Sequence, residues 1–353
     1  MISILLGTRP EVIKLAPVIW ELDRRKQDYL LVHSLQHYDY NMNKIFFEEL
    51  GVREPDVFLE AGSDSDARQT SKIMIGFEDF IKSKKPGIVV VEGDTNTVLA
   101  GSIVAKKQGV LLAHVEAGAR SFDKNMPEEV NRIACDHLSD VLFAPNGGCM
   151  KNLLNEKVPK ENIVLSGNTQ FETLQFALKK AIVPFETPAE FALVTMHRKE
   201  NATPEKLSML LKLLSSLEIP SIFLVHPRTR KVLLESGLDE KYAKEKKIIL
   251  KDPVGFFGLV GLLKNASFVV TDSGGLQKEA AFLDKAVVIP RTSTEWPEIL
   301  ESGHASLVGL DGNSPGKARN FLSKFKPGKV KEIDRPSKVI VDKLVSLLEG
   351  GMT

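Results

Sequence analysis

The sequence is poor in the features that would staple, anchor or coat a protein. Cysteine occurs only at Cys135 and Cys149. Two thiols without zinc-like spacing exclude a disulfide framework, suit a reducing compartment and read as ordinary buried side chains. No apolar run approaches the ~20 residues of a membrane span. The opening Met1 to Leu6 run passes directly into Gly7-Thr8-Arg9-Pro10 instead of a cleavage site, so the expectation is a cytoplasmic protein with no membrane partner. An excess of one charge is also missing: 47 basic residues face 46 acidic ones, which argues against nucleic acid as a partner while leaving room for a local basic pocket. There is no short-period repeat and no low-complexity tail.

What remains is an ordinary globular composition spread over 353 residues, more than one hydrophobic core usually serves, so two domains are expected. Short continuous apolar runs at Ile2 to Leu6, Leu30 to His33, Gly87 to Val91, Leu111 to Val115 and Val141 to Ala144 read as strands covered on both faces. Helical patterns lie between them at Glu11 to Arg25, Asn43 to Leu50, Gln69 to Lys82, Thr95 to Gln108 and Glu128 to Leu138. After Gly167-Asn168 the alternation resumes. Strands are expected at Phe191 to Thr195, Ser221 to Val225, Lys247 to Leu250, Phe268 to Thr271 and Ala286 to Ile289, with helices at Pro204 to Leu217, Phe256 to Lys264 and Gly275 to Leu283. The class is α/β with two Rossmann-like domains, 1–168 and 169–334, ligand expected in a central cleft, and a C-terminal helix in 335–353 returning to the first domain.

Chemistry-bearing residues recur where strands end. Gly7-Thr8-Arg9-Pro10-Glu11 joins the first strand to the first helix, a place where backbone N–H groups and a helix N-terminus meet anions; with Arg9 and Lys14 nearby, phosphate is the favoured ligand, against a plain helix-entry turn. It lacks the spacing of a dinucleotide site. Asp94 follows the strand ending in Val89-Val90-Val91, and as a lone residue reads first as a helix N-cap. His114 and Glu116 fall on one face by alternation. Glu128 and Glu129, behind Pro127, resemble ordinary helix-start acids. Three carboxylate-bearing turns at one sheet edge nevertheless suit acid/base division of labour.

In the second half, His197 and His226 sit where strands meet loops, structural or functional with equal weight. Ser273-Gly274-Gly275 after a strand is the strongest phosphate signal, with Glu279 one turn further placed to accept from ribose hydroxyls. His33 and His37 do not read as a zinc pair, and no metal or redox cofactor is implied.

In order along the chain, GTRPE (7–11), QH (36–37), GDT (93–95), HVEAGARS (114–121), MPEEVNR (126–132), GN (167–168), TMHRKEN (195–201), HP (226–227), DSGGLQKE (272–279) and RTSTEWPE (291–298) resemble the non-hydrolysing UDP-N-acetylglucosamine 2-epimerases. The resemblance implies a GT-B-like fold and reversible C2 inversion of a UDP-N-acetylhexosamine through elimination of UDP to 2-acetamidoglucal and re-addition. It assigns acid/base work to Asp94, Glu116 and Glu128, with His197 at the sugar and diphosphate. Arg9, Lys14, Ser273, Gly274 and Gly275 would stabilise the diphosphate, with His226 also lining the substrate site, Glu279 the ribose, and the loop from Asp252 through Val254 to Phe256 the uracil.

Three departures stand out: Leu259 where an aromatic is common, leaving Phe256 or Phe257 to stack on uracil; Lys278 for a common glutamate; and Trp296 for the usual arginine. The pattern also resembles the branch acting on UDP-2,3-diacetamido-2,3-dideoxyglucuronate. The family implies a homodimer, with activation by substrate in bacterial members. A GT-B glycosyltransferase, a hydrolysing epimerase and a non-enzymatic UDP-sugar sensor are the competing readings; nothing in the sequence marks the kinase domain that accompanies the hydrolysing branch.

Overall fold

The structure, a computed structural model, describes residues 1–35, 40–198, 201–239, 247–330 and 333–350, with the side chains of 40–43 excepted. Gln36, His37, Lys199 and Glu200 of the motifs above therefore lie outside the described residues. The chain divides into two compact units, Met1–Thr173 with Glu332–Thr353, and Leu174–Lys331.

The first unit is a seven-stranded parallel sheet in the order β3-β2-β1-β4-β5-β6-β7. Its strands are β1 Ile2–Leu6, β2 Tyr29–His33, β3 Val57–Phe58, β4 Ile88–Glu92, β5 Leu111–Val115, β6 Val141–Ala144 and β7 Ile163–Leu165. They alternate with α1 Arg9–Arg25, α2 Tyr40–Leu50, α3 Asp66–Lys84, α4 Asn96–Lys107, α5 Pro127–Leu138 and α6 Gly147–Asn155, and the boundary between the units falls within α7, Thr169–Leu178. Every residue of β1 and β4 is buried, as a parallel sheet covered on both faces requires. Leu5, Val32, Val89, Val91 and Leu112 pack under Phe77, Phe80 and Ile81 of α3.

The second unit repeats the plan with six parallel strands in the order β10-β9-β8-β11-β12-β13. These are β8 Ala192–Met196, β9 Ser221–Val225, β10 Ile248–Lys251, β11 Phe268–Thr271, β12 Ala286–Ile289 and β13 Ala305–Leu307. Its helices are α8 Pro204–Ser215, α9 Pro227–Glu235, α10 Phe256–Asn265, α11 Gly274–Phe282, α12 Pro297–Glu301 and α13 Ser314–Ser323. The leucines of α8 at 207, 210, 211 and 214 bury one helical face on Val194, Phe223 and Val225, each worth roughly 1.5–3 kcal/mol against exposure.

The last helix, α14 Pro336–Gly350, returns to the first unit and packs against α1, burying Ile340, Val341 and Leu344. Asp342 pairs with Arg25 at 2.7 Å, and the Ser337 N–H and hydroxyl both donate to Glu172. The elements that the apolar runs do not announce are mainly short or peripheral. β3, β7 and β13 are edge strands of two or three residues, too brief for a period to show. Among the described residues no helix is long and apolar enough to cross a membrane. Cys135 and Cys149 are free and buried, and burial above all pushes the Cys135 thiol up to about 12.

Candidate active site

The first sheet gathers its charged side chains where β1, β4 and β5 end. Glu11, in the first turn of α1, folds back on the entry turn: the Gly7 and Thr8 N–H groups donate to its Oε2 at 2.6 and 2.7 Å, and the Thr95 hydroxyl donates to Oε1 at 2.6 Å. This corrects the reading of the turn as an open anion cradle, because an internal carboxylate already occupies those two amides. A glutamate three residues into a helix reaches the N-cap amide by ordinary capping geometry. Nor can Gly7 carry a side chain: a Cβ there would lie 2.1 Å from Ser34 Oγ. Burial raises the Glu11 carboxyl above its usual range despite these donors. Arg9 is exposed, its guanidinium 5.0 Å above the Phe46 ring.

Lys14, one turn further along α1, also departs from expectation. Its ammonium is committed to two carboxylates, Glu116 Oε1 at 2.6 Å and Glu92 Oε1 at 2.9 Å, partners that the reading of Lys14 as a diphosphate ligand did not include. Burial opposes the charge, but Glu116, Glu92 and Asp94 outweigh it and hold Lys14 protonated well above its ordinary range. Glu116 reaches the ammonium because the chain turns out of β5 there with φ +67°, a left-handed conformation that costs a non-glycine residue energy and clusters at functional sites. The strand alternation that paired it with His114 ends at Val115. His114 is buried beneath, held between Asp136 at 2.7 Å and the Gly93 carbonyl at 2.8 Å, and so supports the turn carrying Asp94. Gly118, two residues past Glu116, must stay glycine: φ is +83° and a Cβ would sit 2.3 Å from the Cys149 carbonyl oxygen.

Asp94 is not the N-cap of α4; Thr95 is, its side chain accepting from the Val98 N–H. The Asp94 carboxylate pairs instead with Arg132 of α5, while the Asn131 amide donates to its carbonyl at 2.8 Å. Arg132 is also held by buried Glu129 at 2.9 Å, whose carboxylate accepts from the Ser121 and Phe122 N–H groups. Of the two helix-start acids, Glu129 is thus the loop clamp. Glu128 is partly exposed and lies outside the Lys14 ion-pair cluster.

In the second unit the organising residue is Asp272, which directly follows β11 and is fully buried. It accepts from the backbone N–H groups of His197 and Arg198, at 3.1 and 3.0 Å, and from the Asn201 amide at 3.0 Å. Burial alone would raise its pKa, yet His197, Asn201 and the Arg198 N–H win and hold it at about 2. His197 is left half-exposed with Nδ1 3.3 Å from that carboxylate. His226 caps α9, accepting from the Arg228 N–H, with its ring centroid 6.1 Å from that of His197.

Ser273 caps α11, and Ser273, Gly274 and Gly275 are all partly open to solvent at its N-terminus, the arrangement an anion can use. Glu279 is buried. Val254 and Leu259 are partly exposed, whereas the Phe256 ring is buried, which removes it as a stacking surface. Phe257 is partly exposed and tilted against Phe176. Lys278 and Trp296, two unusual residues of the sequence, meet each other: the ammonium lies 3.9 Å from the indole centroid, a cation–π contact. Among the described residues no His, Cys, Asp or Glu cluster could hold a metal ion.

The family model for UDP-N-acetylglucosamine 2-epimerase matches residues 20–332. The chain belongs to this family. A UDP-N-acetylglucosamine 2-epimerase of Methanococcus maripaludis is 43% identical over 88% of each chain. A solved structure of the Methanocaldococcus jannaschii UDP-GlcNAc 2-epimerase, in complex with UDP-GlcNAc and UDP, matches with TM-score 0.91 and 40% identity, covering 98% of this chain and 99% of that one. The UDP-2,3-diacetamido-2,3-dideoxy-D-glucuronate 2-epimerase of Pseudomonas aeruginosa is 38% identical over 86% of this chain and 87% of its own. Against this epimerase background, sequence reading assigns no role to Glu92, Arg132 or Asp272. Glu92 carries a usable signal, an acid closing an otherwise wholly apolar buried strand; Asp272 and Arg132 look like routine helix-entry and helix-surface charges until their partners are seen.

Proposed function

We propose that the chain interconverts UDP-N-acetylglucosamine and UDP-N-acetylmannosamine. The observation that carries the reading is the grouping of Asp94, Glu92 and Glu116 around Lys14 and Arg132 at one sheet edge. C2 of the sugar has no adjacent carbonyl, so its proton is acidic only if the bond from C1 to the diphosphate oxygen breaks as the proton leaves. A carboxylate takes the proton, UDP departs with the bonding electrons, and 2-acetamidoglucal remains. UDP then adds back to C1 while a protonated group delivers hydrogen to the opposite face of C2.

In this reading Asp94, Glu116 and Glu128 share the proton transfers, with Glu116 held in place by Lys14 and Asp94 by Arg132. Preorganised charges of this kind lower the barrier more than groups that must reorient. The open N-terminus of α11 at Ser273, Gly274 and Gly275, with His197, would bind the diphosphate, Glu279 the ribose, His226 the substrate, and the segment at Val254, Phe256 and Leu259 the uracil, through its backbone in the case of Phe256; Arg9 stays a candidate phosphate ligand of the first unit. The division into residues 1–168, 169–334 and 335–353 then separates acid/base from nucleotide-binding work. A homodimer in the cytoplasm, acting on nucleotide sugar, completes the reading.

The test is proton NMR of the purified protein with UDP-N-acetylglucosamine in deuterated water. UDP-N-acetylmannosamine carrying deuterium at C2 is the expected product. Exchange only on the 2,3-diacetamido uronate would move the substrate to that sugar, and inertness toward both would sink the epimerase reading.

A further inference from the structure

Glu92 closes β4 with its carboxyl 1% exposed. Neither of its oxygens has a hydrogen-bond partner of good geometry among the described residues; its one compensating charge is Lys14, 2.9 Å away. That same ammonium lies closer to Glu116 and donates a hydrogen bond to it. One cation therefore faces two carboxyls in a site almost closed to water, where ionising both is costly.

The other charged groups around Glu92 do not relieve it. Glu11, also from α1, adds a further carboxyl to its surroundings. Asp94 lies just beyond the end of β4 and shares Arg132 with Glu129. His114 of β5 is committed to Asp136 and the Gly93 carbonyl. Burial first, then Glu116 and Glu11, push the Glu92 carboxyl well above the usual range against the pull of Lys14.

Resting on the epimerase reading, we propose that Glu92 is a positioning residue acting through Lys14: as a neutral carboxyl it leaves the ammonium to Glu116, and on ionising it draws the ammonium away and ends turnover. The alkaline limb of kcat/KM then belongs to Glu92. A purely structural role would change activity alike at all pH values.

The test compares pH profiles of C2 deuterium exchange for the unmutated protein, Glu92→Gln and Glu92→Asp. Glu92→Gln cannot ionise, so its alkaline limb should move up by at least about one pH unit, a tenfold change in the proton dependence; Glu92→Asp should restore an alkaline limb. An alkaline limb in Glu92→Gln that coincides with the unmutated one overturns the proposal.

A second measurement needs neither turnover nor a well-behaved glutamine variant. In substrate-free protein labelled with ¹³C at glutamate carboxyls, the resonance removed by Glu92→Gln or Glu92→Asp should titrate well above those of the exposed glutamates. If it titrates in the ordinary carboxylate range, the proposal fails while the epimerase reading stands. A raised titration without C2 exchange on either sugar would instead sink the epimerase reading, and the role of Glu92 in turnover with it.

Discussion

Glu92 and Asp272 occupy matching places in two sheets. β4 lies beside β1 in the first unit as β11 lies beside β8 in the second, and each strand gives way to a fully buried acid, Glu92 as its last residue and Asp272 as the next one on. Their protonation is driven in opposite directions. Asp272 collects two backbone N–H groups, an asparagine amide and a histidine, so it stays ionised down to about 2. Among the described residues Glu92 has only a share of Lys14, and burial pushes it up. Burial is common to both; the number and commitment of donors decides the sign. The second unit uses its acid to lock loop geometry, whereas the acid of the first shares one lysine with a second carboxyl.

The largest expected effect separates those two roles. Glu116→Gln or Asp94→Asn should cut C2 exchange by at least about 10²-fold, the usual scale for an acid/base group, with UDP affinity by calorimetry little changed. Near-normal exchange in both variants would remove the first edge from catalysis and erase the contrast.

Next in size is the acid stability of the second edge. The folded-state pKa of Asp272, about 2, lies below its ordinary 3.8, so its ionised form stabilises the fold above about pH 4 and that contribution fades as pH falls through about 2. The difference is worth about 2 kcal/mol. Urea midpoints of Asp272→Asn and the unmutated protein should therefore converge between about pH 5 and pH 2; a constant gap would mean that Asp272 does not titrate as its donors require. The smallest effect probes the helix entry beside it: Ser273→Ala should weaken UDP binding about tenfold, equivalent to ~1.4 kcal/mol. Unchanged UDP affinity would detach the Ser-Gly-Gly turn from the nucleotide.

Much of this layout is legible in the chain itself. The apolar runs delimit β1, β5, β6, β9, β11 and β12 at the same residues as the structure, because a strand buried on both faces has to be continuously apolar. The helices α1, α3 and α4 emerge within a few residues of their periodic patterns, and the C-terminal helix returns to the first unit, where the structure sets it on α1. The site is legible as residue types at strand ends, not as partnerships. Asp94 reads as a helix cap, yet Thr95 caps and Asp94 binds Arg132. Lys14 reads as a phosphate ligand, yet it is held by carboxylates. Phe256 reads as a stacking ring, yet its ring is buried at the start of α10.

The sequence by itself determined the two alternating α/β series, the acids and glycines that follow their strands, and the family to which they belong. Those features depend on local period and on residue chemistry in order, both of which are written along the chain. Only the tertiary structure decided which charge meets which. Lys14 and Glu116 are 102 residues apart, and they meet because β1, β4 and β5 lie side by side, an order set by how the crossover helices pack on a twisted sheet and not by any local pattern. Protonation followed from that adjacency, since it depends on the donors that tertiary packing delivers to each buried carboxyl.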